Sequence, residues 1–442
     1  MEESGRCVVL FAGLGVGHLT PMVELAKLFL RRDRDLSVTI AVPTDPTRPS
    51  SASMGVAAAN PSISFHHLPP PHYPNPDPIP IVGMLDVLRL CSPSLRDLLR
   101  SLPSVAALVV DVFCAHAIDV AAELRVPASL GDMGKEPLHF PGLPADPGVG
   151  HAVHAAGQGG SGVQGAGRAV RARLGRQRRA AQPFEWLEPR AVKALRDGAC
   201  NPGRLTPPVY CVGPLVAAPA EEARRSERHA CLAWLDAQPD RSVVFLCFGS
   251  LGAVSAPQLK EIARGMEASG HRFLWVVRNP PDPSKFHERW AEPDLAALLP
   301  DGFLERTRDR GLVVPSWAPQ VEVLRHSATG AFVTHCGWNS TLEGVAAGVP
   351  LLCWPQFAEQ SLNKVFIVDE MKVGVVMEGY DEEMVRAEEV EAKVRLVMGS
   401  GEGERLRERL AVAKEKAAEA LVDGGPSRLA FDEFLKDLAG SK

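Results

Sequence analysis

The chain has 442 residues and a mass of 47.5 kDa, enough for two or three domains with substantial cores. Its composition, 45% apolar and 23% charged, excludes wholesale disorder, and 48 basic against 53 acidic side chains exclude the broad basic field of a nucleic-acid binder. Nine scattered cysteines without a Cys-x-x-Cys pair fit neither a disulfide framework nor a zinc site, and no run of 18 apolar residues offers a membrane span. The acidic start, followed by a short apolar run at 7–12, does not make a signal peptide. The expectation is a cytoplasmic, monomeric protein with small-molecule partners, no nucleic-acid partner and no membrane insertion.

Apolar, β-branched runs alternate with helical periodicity along the chain, the pattern of α/β domains with parallel sheets. In the first half, strands are predicted at 7–12, 37–42, 63–67 and 106–110, with helices at about 21–32, 82–102 and 115–124. Between the first strand and helix stands Gly13-Leu14-Gly15-Val16-Gly17-His18. A glycine-rich turn of this kind lets a phosphate or a sugar approach backbone and helix N-terminus. His18 occupies the place of the third glycine of a dinucleotide fingerprint, which disfavours a nicotinamide cofactor. An imidazole there can accept a proton, although taken alone a structural histidine is the simpler account. Asp111 directly follows the strand at 106–110 and is placed to orient His18 and stabilise its imidazolium. Alone, a helix N-cap would explain it as well.

Residues 145–181 break the pattern: 24 of these 37 residues are Gly, Ala or Arg, with Asp146 the single acid. Such a stretch is not expected to supply a core strand or a periodic helix face. A Pro-containing passage at 209–220 reads as a linker between a domain at 1–208 and a second at 221–425, with a closing helix at 426–442. The second half carries strands at 242–248, 272–277, 311–314, 330–334, 351–353 and 373–376, and helices at 256–269, 338–347 and 360–369. The tail from 386 to 438 is a charged helical pattern, expected to pack on one face. Both halves read as doubly wound, Rossmann-like sheets. Ligands bind beyond the carboxyl ends of such strands, so two domains facing across a cleft would place the site there.

The densest polar stretch is 317–360. It opens with Trp317-Ala318-Pro319-Gln320, continues through Thr334-His335-Cys336-Gly337-Trp338-Asn339-Ser340-Thr341-Leu342-Glu343, and ends in Glu359-Gln360. His335, Asn339 and Ser340 precede or open a helix whose N-terminal amides would favour a diphosphate. The flat Trp317 can stack on a base. Glu343 can accept from ribose hydroxyls, and Glu359 with Gln360 can serve sugar hydroxyls. Burial in a core explains each residue singly but not their joint arrangement.

These 44 residues resemble the plant secondary-product glycosyltransferase box of the UDP-dependent glycosyltransferases. The resemblance extends over 6–128 and from 184 to the end, including Phe248-Gly249-Ser250 after a strand. It implies the two-domain glycosyltransferase B fold, with an acceptor-binding first domain and a donor-binding second. It also implies His18 as general base and Asp111 as its partner. Trp317 would stack on uracil, Ala318 would bond it through its backbone, and Gln320 and Glu343 would hold ribose. Ser250, His335, Asn339 and Ser340 would hold the diphosphate at the turn that includes Gly337, while Trp338, Glu359 and Gln360 would hold the sugar. UDP-glucose is the implied co-substrate, with no further cofactor; no Asp-x-Asp metal motif stands near the box. The stretches at 65–69 and 109–114 resemble members that glucosylate phenolic acceptors such as flavonoids and phenylpropanoids.

The sequence departs from the family after Ala128. Ser129-Leu130 begins a strand that Gly131-Asp132-Met133-Gly134-Lys135 is expected to break; Leu138–Pro144 resembles the family again, and after the Gly/Ala/Arg stretch family pattern resumes at Phe184. Gly, Ala, Arg and Pro are what GC-rich DNA encodes out of frame, so the expectation for 129–183 is a deletion with a shifted, later restored frame. The alternative to an active glucosyltransferase is therefore a homologue that binds UDP-sugar but has a damaged acceptor domain.

Overall fold

β1 (Arg6–Phe11) is buried from Cys7 to Phe11, as a central parallel strand with helices on both faces must be. Val8 and Leu10 pack with Leu19, Met22, Leu25 and Phe29 of the first helix, Val16–Arg32. Cys7, Val9 and Phe11 point the other way, into a second core with Leu95, Leu99 and Ile118. The computed structural model describes residues 6–45, 51–73, 81–132, 179–181, 184–199, 208–217, 229–281 and 291–439.

The described chain forms two units, each around its own parallel sheet. The first runs from Arg6 to Ala217 and resumes at Glu419; the second is described from His229 to Ala418. In the first, β1 is joined by β2 (Leu36–Val42), β3 (Ser64–His67), β4 (Val105–Asp111), β5 (Ala128–Asp132), β6 (Arg179–Ala181) and β7 (Val209–Cys211). Their order is β3-β2-β1-β4-β5-β6-β7. The second holds β8 (Val243–Cys247), β9 (Arg272–Val277), β10 (Gly311–Pro315), β11 (Thr329–Thr334), β12 (Leu351–Cys353) and β13 (Gly374–Val376), in the order β10-β9-β8-β11-β12-β13. The winding reverses between β1 and β4 in one sheet and between β8 and β11 in the other. Those are the two places where a doubly wound sheet opens a crevice at its carboxyl edge.

Several expectations are corrected. β5 runs through Gly131 and Asp132, paired with β4 on one side and β6 on the other. Pairing uses backbone groups, which glycine and aspartate supply as well as valine does, so those residues extend the strand that they were expected to break. For the same reason the last three residues of the Gly/Ala/Arg stretch form β6, between β5 and β7. The remainder of that stretch, residues 145–178, lies outside the described residues, and the shifted-frame expectation with it. β7 occupies positions assigned to a linker, and Tyr210 within it is buried in the first unit's core. The helix expected at 82–102 is two, Ile81–Leu90 and Ser92–Ser101, because Pro93 lacks the N–H that a continuous helix needs and instead opens the second.

The closing helix, Pro426–Ala439, belongs to the first unit. Phe431 and Phe434 are fully buried against Phe29 and Tyr210, and Ser427 Oγ donates to Gly213 O at 2.5 Å. Arg32 pairs with Asp432 at 2.8 Å. Among the described residues no helix is long and apolar enough to cross a membrane.

Candidate active site

At the reversal point of the first sheet, β1 ends and the chain enters the first helix through Gly13–Gly15, which places His18 in the first helical turn. β4 ends in Asp111, fully buried. The His18 Nδ1–H donates to Asp111 Oδ2 at 2.9 Å, while Oδ1 of the same carboxylate accepts the Phe113 N–H at 2.9 Å. Asp111 therefore both caps the short turn Val112–Cys114 after β4 and bonds the imidazole; the helix that follows, Ala117–Glu123, begins after His116 instead. The Phe113 ring stands edge-on to His18 with centroids 5.1 Å apart. A Cβ on Gly13 would lie 2.9 Å from His18 Cγ and 3.1 Å from Asp111 Oδ1, so only glycine leaves room for the pair. The His18 side chain keeps 24% of its surface exposed. An imidazole whose Nδ1 proton is held by a buried carboxylate presents Nε2 as the basic nitrogen.

The second sheet repeats the arrangement with different chemistry. β8 leads through Phe248 to Gly249 and the exposed Ser250; β11 leads to His335 and, after Cys336 and Gly337, to the helix Trp338–Ala347. His335 lies between Gly249 and Gly337, and a Cβ on either glycine would drive into its ring. Burial, assisted by the charge of Arg278, pushes the His335 pKa down to about 4, so this imidazole is neutral. Its Nδ1 has no hydrogen-bond partner among the described residues. No side chain caps the helix that follows. A neutral ring and the uncapped N-terminus of a ten-residue helix together suit an anion.

The other residues of the 317–360 stretch gather around the same strand ends. Trp317 is 59% exposed, with His229 edge-on to it at 5.7 Å, and Ala318 beside it is buried. Gln320 Nε2 donates to Ser340 Oγ at 2.9 Å and to Glu343 Oε2 at 2.6 Å, so three of the candidate residues are joined in one network. Burial pushes the Glu343 pKa up to about 7, against the opposing bond from Gln320. Trp338 is buried at the start of its helix, with Asn339 next to it. Glu359 precedes the helix Gln360–Val365. Gln360 Oε1 accepts the backbone N–H groups of Gln356 and Phe357 at 2.8 and 3.0 Å. Its oxygen thus holds the loop.

Sequence reasoning missed two residues here. Arg278, directly after β9, donates to carbonyls of two neighbouring turns. Asn363 donates from Nδ2 to Cys336 O at 2.9 Å. The rule that drew attention to Asp111, a charged residue at the carboxyl end of an apolar strand, would have found Arg278. Nothing in its spacing singles out Asn363.

The model of the "UDP-glucoronosyl and UDP-glucosyl transferase" family matches residues 201–400. An anthocyanidin 5,3-O-glucosyltransferase of a Rosa hybrid cultivar is 39% identical over 96% of this chain and 97% of its own. A phloretin 2'-O-glucosyltransferase of Pyrus communis is 38% identical over 98% of this chain and all of its own. Among solved structures, a UDP-glucosyltransferase from Polygonum tinctorium capable of glucosylating indoxyl superposes with a TM-score of 0.83 at 35% identity, covering 100% of both chains.

Proposed function

The chain belongs to the UDP-glucuronosyl and UDP-glucosyl transferase family, and from that premise we propose an inverting O-glucosyltransferase that moves glucose from UDP-glucose to a hydroxyl of a small phenolic acceptor. The fold is the glycosyltransferase B type. The observation that carries the reading is the His18–Asp111 pair, a partly buried imidazole locked by a buried carboxylate. Relatives named for an anthocyanidin and for phloretin support an acceptor of the flavonoid or phenylpropanoid class.

His18 takes the proton of the phenolic hydroxyl as its oxygen bonds to the anomeric carbon and the bond from that carbon to UDP breaks. Asp111 stabilises the imidazolium, and the configuration inverts because the nucleophile enters opposite the leaving group. General-base help of this kind is worth about 10²–10⁴-fold. In the second unit, Trp317 stacks on uracil, Ala318 bonds it through its backbone, and the Gln320–Glu343 pair takes the ribose. Ser250, His335, Asn339 and Ser340 meet the diphosphate. Since His335 is neutral, it contributes a hydrogen bond rather than a charge. Trp338, Glu359 and Gln360 take the sugar. The same reading makes the protein a cytoplasmic monomer needing no cofactor beyond the sugar nucleotide. The alternative of a homologue with a damaged acceptor domain finds no support: the relatives align across 96–98% of the chain, and β5 is intact where a break was expected.

The test is a transfer assay on phenolic acceptors with UDP-glucose and UDP-galactose. Glucose should be preferred, and His18→Ala should lower turnover by about 10²–10⁴-fold while UDP affinity stays within about twofold. Wild-type turnover in that variant, or equal use of the two donors, would refute the reading.

A further inference from the structure

We propose that Arg278 is a positioning residue for the donor nucleotide: its guanidinium joins the turn carrying Ser250 to the turn carrying Trp317 and so sets the span between the phosphate end and the uracil end of the site. The inference deepens the donor-site reading above and rests on it.

Sheet order supplies the geometry. β9 lies between β8 and β10, so a long side chain leaving the carboxyl end of β9 can reach the turns after both neighbours. Arg278 does this, donating from Nε to Ser316 O at 2.8 Å and from Nη1 to Gly249 O. Both carbonyls belong to residues in left-handed backbone conformations, with φ of +62° at Ser316 and +74° at Gly249. Ser316 is not a glycine, so its turn persists only where surrounding bonds hold it. Its N–H donates to Val277 O at 2.8 Å, and the guanidinium fixes its carbonyl, so the end of β9 holds the peptide groups on both sides of Ser316. Ser250 and Trp317 each come one residue after a carbonyl that Arg278 holds.

Arg278 is desolvated, which pushes its pKa down, and among the described residues no carboxylate pairs with it. An unpaired, half-buried guanidinium bonded to two carbonyls is costly as a surface ornament but effective as a planar fork serving two acceptors. A lysine ammonium has one donor centre and cannot hold the same pair in one plane. The charge could instead act directly on the diphosphate, and the experiment separates the two roles.

The test is a double-mutant cycle read as UDP affinity by calorimetry, together with KM and kcat for UDP-glucose. Arg278→Met and Arg278→Lys should each weaken UDP about tenfold or more and raise KM, with kcat within about threefold of wild type. In a Trp317→Ala background, adding Arg278→Met should cost less than about threefold, because the turn that it holds no longer carries the stacking ring. Equal losses in both backgrounds would overturn the proposal, as would full affinity in the lysine variant, which would show that charge alone suffices. Should the methionine variant not fold, the lysine variant carries the same cycle. If the wild-type protein fails to bind UDP, the donor-site reading fails; normal wild-type binding with unchanged variants defeats only the role of Arg278.

Discussion

At the residue scale, the two units place the same side-chain types in different surroundings. His18 keeps about a quarter of its side chain exposed and is held by a carboxylate, while His335 is enclosed by glycines, near a guanidinium, and neutral. Asp111 accepts two hydrogen bonds, whereas Glu343 is desolvated and its pKa is pushed up to about 7. For Glu343 the sign is definite. Its pKa in the folded protein lies above the ordinary glutamate value, so its stabilising contribution is complete below about pH 4.3 and is lost as pH rises through about 7. A ribose hydroxyl bonds more strongly to the ionised carboxylate, so nucleoside affinity should move the other way and rise with pH across the same window. Uridine is the suitable ligand because it has no phosphate to titrate there. Its competition with UDP-glucose should strengthen by about three- to tenfold between pH 6 and pH 8, and Glu343→Gln should flatten the curve. A pH-independent uridine constant in the native protein would show that Glu343 does not meet the ribose.

At the scale of elements, the turns after the strands carry the candidate-site residues and the backbone strain. Gly249 after β8, Ser316 after β10, Cys336 after β11 and Ala358 after β12 all have positive φ. Nearby side-chain bonds hold these regions: Arg278 on two of the carbonyls, Asn363 on Cys336 O, and Gln360 on Gln356 and Phe357. Apart from β7, whose short apolar run sits in a Pro-containing passage read as a linker, most strands were legible in the sequence because apolar runs report burial. β5 and β6 were not, because Gly131, Asp132 and the Arg-Ala-Ala of β6 contribute backbone pairing, which leaves no mark in hydropathy. The box residues were legible as a group, but their internal bonds were not: spacing does not say that Gln320 would hold Ser340 and Glu343, or that Gln360 would spend its oxygen on the loop. Gly249→Ala tests the turn argument. The added Cβ meets the His335 ring and must adopt a left-handed φ of +74°, a strain of about 1–3 kcal/mol at a position where the ring has little room to move. UDP affinity should fall about tenfold or more, with acceptor-side His18 chemistry untouched once UDP-glucose is saturating. Native affinity in this variant would mean that the Gly249 turn does not position the phosphate end.

At the scale of the molecule, each unit has its own core, and the chain returns to the first unit to close it. Phe431 and Phe434 of the last helix fill space against Phe29 and Tyr210, with Phe434 5.6 Å from the Tyr210 ring and 6.3 Å from Phe29. The tail was readable as helical from its periodicity, but which core it completes was not, since its aromatic residues pack against positions 29 and 210, distant in sequence. Deleting the Phe434 ring removes a fully buried aromatic from that cluster, which costs about 3–5 kcal/mol. The second unit has a separate core around Trp275, Val333 and Leu352, in which the last helix has no part. Phe434→Ala should therefore speed hydrogen exchange in peptides from β1, β4 and the first helix, while peptides from β8 and β11 keep their protection and UDP affinity stays within about twofold, since sites without shared partners add independently. Acceleration across β8 and β11 to the same extent would show that the two cores unfold as one, and the C-terminal helix would then be a determinant of the donor site as well.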